Sequence, residues 1–228
     1  MKKYLSVFAL FARWSLFSVL GALLLLEVAE ALLFFPVEEG VSAVEYGFDE
    51  SGMPLCFGAA AVLVTALLLR AASSEPSAHT LNRLRISRNR VFALHCLYNS
   101  LVYLLLWLTQ AVIAVGLCLY AVQNNSAAGV QDFALAVYRQ SFLHSLIPMA
   151  EKLLWLRNLL LAVALGMTTA YFSFCRRQGQ TAYLFLVPVA AAAMFVNGLG
   201  MGGGELLQIG MCAAAICGVI YEMIAREE

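Results

Sequence analysis

The sequence predicts an all-α polytopic membrane protein, a bundle of six transmembrane helices with both termini cytoplasmic. Three observations lead there. The 228 residues are 62% hydrophobic and 12% charged, with a mean hydropathy of +0.83; soluble domains are roughly half apolar and a quarter charged. So few charges do not cover a water-facing surface of this size, which makes lipid the solvent for most of the chain. Six apolar stretches approach the ~20 residues needed to cross about 30 Å of hydrocarbon. The basic residues, finally, are unequally divided between alternate loops.

Trp14–Phe35 is the first expected crossing. Ahead of it, Tyr4, Leu5, Phe8 and Phe11 lie near one side, so residues 1–13 are either a short interfacial helix or an extension of the first crossing. Lys2, Lys3 and the Ala29-Glu30-Ala31 triplet imitate a signal peptide, but the apolar run is too long for one. Cys56–Ala71 is the second crossing, beginning a little earlier. Val91–Val122 is the third, long enough to tilt or to project from the bilayer. Leu153–Cys175, Ala182–Leu199 and Leu206–Ile224 complete the six. In lipid the backbone must satisfy its own hydrogen bonds, and no ten-residue alternation suggests a barrel, so these are helices.

Orientation follows from Lys and Arg. With the N-terminus inside, the inner segments hold Lys2, Lys3, Arg13, Arg70, Arg83, Arg85, Arg88, Arg90, Arg176, Arg177 and Arg226, 11 of the 14 basic residues. Arg139, Lys152 and Arg157 remain outside. The loop 36–54 is acidic, without the spacing of a calcium loop. Within 123–148, Asp132–Leu146 is amphipathic enough for a short helix resting on the outer surface. Gly200–Gly204 makes a break between the fifth and sixth crossings. A net charge of zero implies no attraction to nucleic acid.

Few residues offer chemistry. Glu27 and Glu30 stand one turn apart in the outer half of the first helix. Carboxylates in lipid face a cavity or a partner, so both are candidates for a substrate or proton route, with Gln110, Asn158 and Asn197 as further polar lining. The competing reading places Glu30 at the outer interface and pairs Glu27 within the bundle. Gly210, Ala214 and Gly218, at spacing four, suit close helix packing. The six cysteines lack a Cys-x-x-Cys pair and read as small apolar residues. His79, His95 and His144 are scattered. With no metal-binding or nucleophile motif an enzyme is not expected, and with no Gly-x-x-x-x-Gly-Lys loop this chain does not hold ATP itself.

The most distinctive stretch is the inner segment 72–90. Ser73 to Ser77 give a polar break, after which Leu81, Leu84 and Arg88 can share one side of a short helix while Arg83 and Arg90 face elsewhere. Anionic lipid contact and a protein-docking role both account for the arginines. The run Thr80-Leu81-Asn82-Arg83-Leu84-Arg85-Ile86-Ser87-Arg88, followed at once by the third crossing, resembles the coupling helix of permease subunits of ABC-2-type ABC transporters. The match covers about a dozen residues; six helices, inside termini and the break before the last helix are shared topology. The resemblance implies half of an ATP-driven transporter, an exporter in a bacterial cell membrane. Thr80, Leu81, Arg83, Leu84, Arg85 and Arg88 would dock on a separate ATPase subunit that carries ATP and Mg, and a second copy or a homologous permease would complete the pathway. Two departures are a short N-terminal interfacial segment and a minimal outer segment before the sixth helix. The residues alone also admit a substrate-binding membrane subunit or secondary carrier using Glu27 and Glu30, or a non-transport accessory protein.

Overall fold

The computed structural model describes residues 2–34, 52–73, 87–124, 130–149, 151–196 and 204–225. Those residues are all-helical, with no strands among them. In chain order they form α1 (Lys2–Leu33), α2 (Met53–Ser73), α3 (Arg88–Asn124), α4 (Val130–Arg139), α5 (Ser141–Leu146), α6 (Lys152–Arg177), α7 (Leu186–Val196) and α8 (Gly204–Ala225). Five of these, α1, α2, α3, α6 and α8, are long and apolar enough to cross a membrane. Their outward faces are large and apolar: Phe17 is 81% exposed and Leu55 75%. A water-soluble bundle would not present so much contiguous apolar surface.

α6 is the central helix. Its apolar window is 56% buried inside the bundle, against 22% to 33% for the other four. α3 lies along one side of it and α8 along the other, while α1 packs on both α2 and α3. The reason lies in the size of its side chains. Ala162, Ala164, Gly166, Thr168, Thr169, Ala170 and Ser173 are all buried on α6, and small residues let helix backbones approach where no hydrophobic drive separates helix from lipid. The closest approach is at Gly166. A Cβ built there would lie 2.6 Å from Ser100 Cα on α3 and closer still to the Ser100 backbone nitrogen and hydroxyl.

Hydroxyl pairs fix the remaining neighbours. Tyr103 on α3 meets Thr65 on α2 at 2.6 Å and Thr169 on α6 at 3.1 Å. Ser15 on α1 meets Tyr98 on α3 at 2.7 Å. The bundle therefore has two distinguishable ends. Arg70, Arg88, Arg176 and Arg177 mark the arginine end, where Arg177 donates to the Ala72 carbonyl. At the far end Phe57, Phe142 and Phe195 stack in a triangle with centroids 5.8 to 5.9 Å apart.

One open reading is decided and two expectations change. Residues 1–13 are an extension of the first crossing: from Lys2 onward they belong to the same continuous helix. The expected fifth crossing, described as far as Val196, is not one uninterrupted α-helix. Its described part is a 3-10 turn, Tyr183–Phe185, followed by α7, of 3 and 11 residues. Pro188 has no N–H to give to Leu184, and the chain enters α7 through the tighter turn, where Leu186 N–H bonds Tyr183 O. The outer amphipathic stretch, thirdly, forms two helices, and the second does not rest on the surface. Phe142 to Leu146 of α5 are all buried.

Gly166 supplies the test of this packing. Gly166→Ala is expected to destabilise the bundle by about 1–3 kcal/mol, the usual range for overpacking, and Gly166→Leu to prevent its folding. Gly116→Ala on α3, where nothing lies within 4 Å, is the control. Thermal unfolding in mild detergent reads the difference, and equal midpoints for the two alanine variants would refute the packing.

Candidate functional site

The arginine-rich segment reaches the described structure only at its end. Thr80, Leu81, Arg83, Leu84 and Arg85 lie outside the described residues, and Arg88 is the first residue of α3. Ser87 caps that helix, its carbonyl accepting from Arg90 N–H at 3.1 Å and Val91 N–H at 3.2 Å. The Arg88 side chain is exposed but oriented, its guanidinium carbon 4.2 Å from the centroid of the Phe174 ring on α6. One turn further on, Phe92 packs on the same ring at 5.7 Å. The entrance to α3 is thus tied to α6, with the cation on the negative face of an aromatic ring.

Glu27 and Glu30 part company. Glu30 is fully buried and accepts a 2.9 Å bond from Gln110 Nε2 on α3, also fully buried. Glu27 is exposed on the outside of the bundle. Helical phase explains this: Val19, Leu23, Leu26 and Glu30 recur every three or four residues along the buried stripe, and Glu27 stands about 100° round from Leu26. The arrangement reverses the competing reading, in which Glu27 was the residue paired inside. Glu30 Oε1 and Gln110 Oε1 are both buried acceptors left without a donor among the described residues.

The small-residue stripe on α8 is mostly outside the chain's own packing. Gly210 and Ala214 are exposed, and only Gly218 touches another element, the Leu184 side chain. The buried side of α8 is instead Gln208, Cys212, Ala215, Val219 and Met223.

The residue that sequence reasoning passed over is Arg157. It is 0% exposed, in the second turn of α6. Its Nη2 donates to the Ser145 carbonyl and to Asn158 Oδ1, both at 3.0 Å, and Nε donates to Asn158 Oδ1 at 3.2 Å. Phe195 covers it at 5.2 Å, and Nη1 has no partner among the described residues. Asn158 Nδ2 also donates to Ser145 O, at 2.8 Å, and Trp155 Nε1 to Pro148 O, at 2.6 Å. Three side chains of α6 therefore grip the last turn of α5 and the chain that follows it, and hold them in the far end of the bundle. The signal was present: an arginine between Leu153-Leu154-Trp155-Leu156 and Leu159-Leu160-Leu161 is expensive in lipid and must turn inward.

Beside this anchor runs an apolar groove of about 610 Å3. Leu55, Val62 and Leu69 of α2 form one wall and Val189 of α7 the other, over a floor of Tyr103 from α3 and Leu165 from α6. Asn158 and Phe195, the two residues packed on Arg157, also line it.

No family model matches the chain, and no curated protein or solved structure matches it either.

Two variants test the geometry. Arg157→Leu leaves the Ser145 carbonyl one donor short, at about 1.5–3 kcal/mol for a bond to a charged group. A cysteine placed at Ser145, protected from maleimide in the parent, should become reactive in that variant; continued protection would refute the anchor. Glu30→Gln keeps an acceptor for Gln110 and should unfold close to the parent temperature, whereas Glu30→Leu should cost about 1–3 kcal/mol. Equal thermal midpoints for the two would remove the Glu30–Gln110 bond from the account.

Proposed function

We propose that the chain is the permease subunit of an ATP-driven transporter of the ABC-2 type, an exporter that forms half of the translocation pathway. The observation that carries this reading is the continuity between the arginine-rich segment and the two innermost helices. Arg88 opens α3 and lies over Phe174 of α6, and the same two helices are pressed together at Ser100 and Gly166. A displacement applied at 80–88 would move α3 and α6 as one body. It would pass to the far end, where α6 holds the last turn of α5 through Arg157 and Asn158. That is the mechanical path a docking segment needs in order to change access to a pathway.

In this reading α7 belongs to the fifth of six crossings, both termini are cytoplasmic, and the arginine end faces the cytoplasm of a bacterial cell. Arg83, Arg85 and Arg88 are the docking contacts. A separate ATPase subunit carries ATP and Mg, and its closure drives the segment. A second copy or a homologous permease completes the pathway, and the exposed Gly210 and Ala214 offer a face on which a helix backbone can approach. The burial of Glu30 with Gln110 favours one alternative, a self-contained carrier in which that pair takes part in transport.

Purification of the tagged chain from its host in mild detergent separates the two. A co-purifying protein with a phosphate-binding Gly-x-x-x-x-Gly-Lys loop is expected, and Arg83→Glu with Arg85→Glu should weaken its association about tenfold or more, as reversal of interfacial charges does. In reconstituted vesicles the same variant should hydrolyse ATP without transport while unfolding at the parent temperature. A chain that emerges alone and folded, and transports without ATP, would overturn the proposal in favour of the carrier.

A further inference from the structure

The bond between α1 and α3 leaves two polar atoms unanswered. Gln110 Nε2 donates to Glu30 Oε2 at 2.9 Å, and both residues are 0% exposed. Glu30 Oε1 and Gln110 Oε1 are then two buried acceptors, shut off from solvent, with no donor among the described residues. We infer that the pair is a proton-binding site, in which Glu30 holds a proton on Oε1 and donates it to Gln110 Oε1.

The chemistry is a simple addition. A carboxylate accepts only, whereas a protonated carboxyl has one O–H to donate and a carbonyl oxygen that still accepts. When Glu30 takes up H+, an O–H bond forms and the negative charge disappears. The acid and the amide then close a ring of two hydrogen bonds running in opposite senses, and each of the two orphaned oxygens has its partner. Size favours a proton over a bridging water. Leu26 and Phe34, one turn either side of Glu30, and Leu106 and Ala114, one turn either side of Gln110, are all buried. A water needs a volume of its own and several polar partners, while a proton adds no volume.

The charges around the pair point the same way. α2 and α3 are the elements packed along α1. Between Arg13 and Arg70 the sequence has no Lys, Arg or His, so neither the outer half of α1, the segment that follows it, nor the first part of α2 carries a cation. On α2 the titratable neighbour of Glu30 is the Cys56 thiol. On α3 the basic residues Arg88, Arg90 and His95 belong to the arginine end, about 22 Å or more before Gln110 along the helix. Of the cations at the far end, Arg139 and Lys152 are exposed, His144 faces Glu151, and Arg157 is held by Ser145 and Asn158. An ionised carboxylate buried without a cation is among the costliest arrangements in an interior, and such a group is neutralised instead. Parting α1 from α3 would break both bonds of the ring at once and open the acid to exchange its proton with water.

Infrared spectroscopy of the whole chain in mild detergent at neutral pH reads the site directly, because a carboxylic acid and a carboxylate absorb in separate regions. The parent should show an acid C=O band that Glu30→Gln lacks, the loss amounting to one carboxyl per chain. Gln110→Met keeps the acid and removes its ring partner, so the same band should persist and move to higher frequency, as a carbonyl does when it gives up a hydrogen bond. A difference between parent and Glu30→Gln confined to carboxylate bands would overturn the inference. So would a spectrum in which Gln110→Met moves no acid band. Carboxylate bands together with an unfolding temperature raised by sodium chloride and not by potassium chloride would overturn it in favour of a metal ion on the two oxygens. The shift between parent and Gln110→Met decides the matter even if Glu30→Gln fails to fold. Neither an ATPase nor a transported substrate enters the measurement, so its outcome stands apart from that of the permease reading.

Discussion

The distance between α3 and α6 is the constraint on which the other placements depend. Gly166 removes the side chain that would hold the two backbones apart, and Ser100 occupies the space. In lipid, helices associate through close contact and shared hydrogen bonds, because tails are as apolar as leucine. Once α3 and α6 are in register, Tyr103 can reach Thr169 and Thr65 together, which seats α2. Tyr98, five residues earlier, is then presented to Ser15 and positions α1. On the other flank Ala164, Ala191 and Cys212 form a small shared core that brings α7 and α8 against α6.

The polar side chains inside the bundle follow a second rule. Two buried ionisable side chains are held by neutral groups: Glu30 by an amide, Arg157 by a carbonyl, an amide oxygen and an aromatic face. Buried amides such as Asn99 and Gln208 lack partners among the described residues. A bundle built only for stability would have apolar residues in these positions, since a buried polar group without its bonds costs about 1–3 kcal/mol. Their presence marks the interior as a place where something other than packing is selected, in keeping with intramembrane ionisable groups generally.

Much of this architecture is legible in the sequence, because hydrophobic length is a local property. The second, fourth and sixth expected crossings begin within three residues of α2, α6 and α8. What was not legible depends on distant partners or on rotation about a helix axis. Apolar composition does not report that the fifth segment opens on a 3-10 turn ahead of Pro188. Glu27 and Glu30 look equivalent in a sequence and are separated only by which face meets α3. Arg157 was counted with the loop cations because charge counting takes no account of the apolar residues on both sides of it. The amphipathic stretch before α6 was recognised, but its burial depends on side chains that α6 supplies. The segment Thr80–Arg88, on which the functional reading chiefly rests, lies within the described residues only at Ser87 and Arg88.

The grip of α6 on the end of α5 and the chain just after it limits which motions the bundle can make. Ser145 O and Pro148 O are both committed to donors from a single helix. Prising that segment away would strand a guanidinium, an amide and an indole N–H in a medium with no water to replace their acceptors. The low-cost degrees of freedom therefore lie elsewhere, along seams where the contacts are apolar and can slide without leaving a donor behind. The α2–α7 boundary is such a seam. The groove lined by Leu55, Val62 and Val189 therefore lies where the bundle can yield at the lowest polar cost.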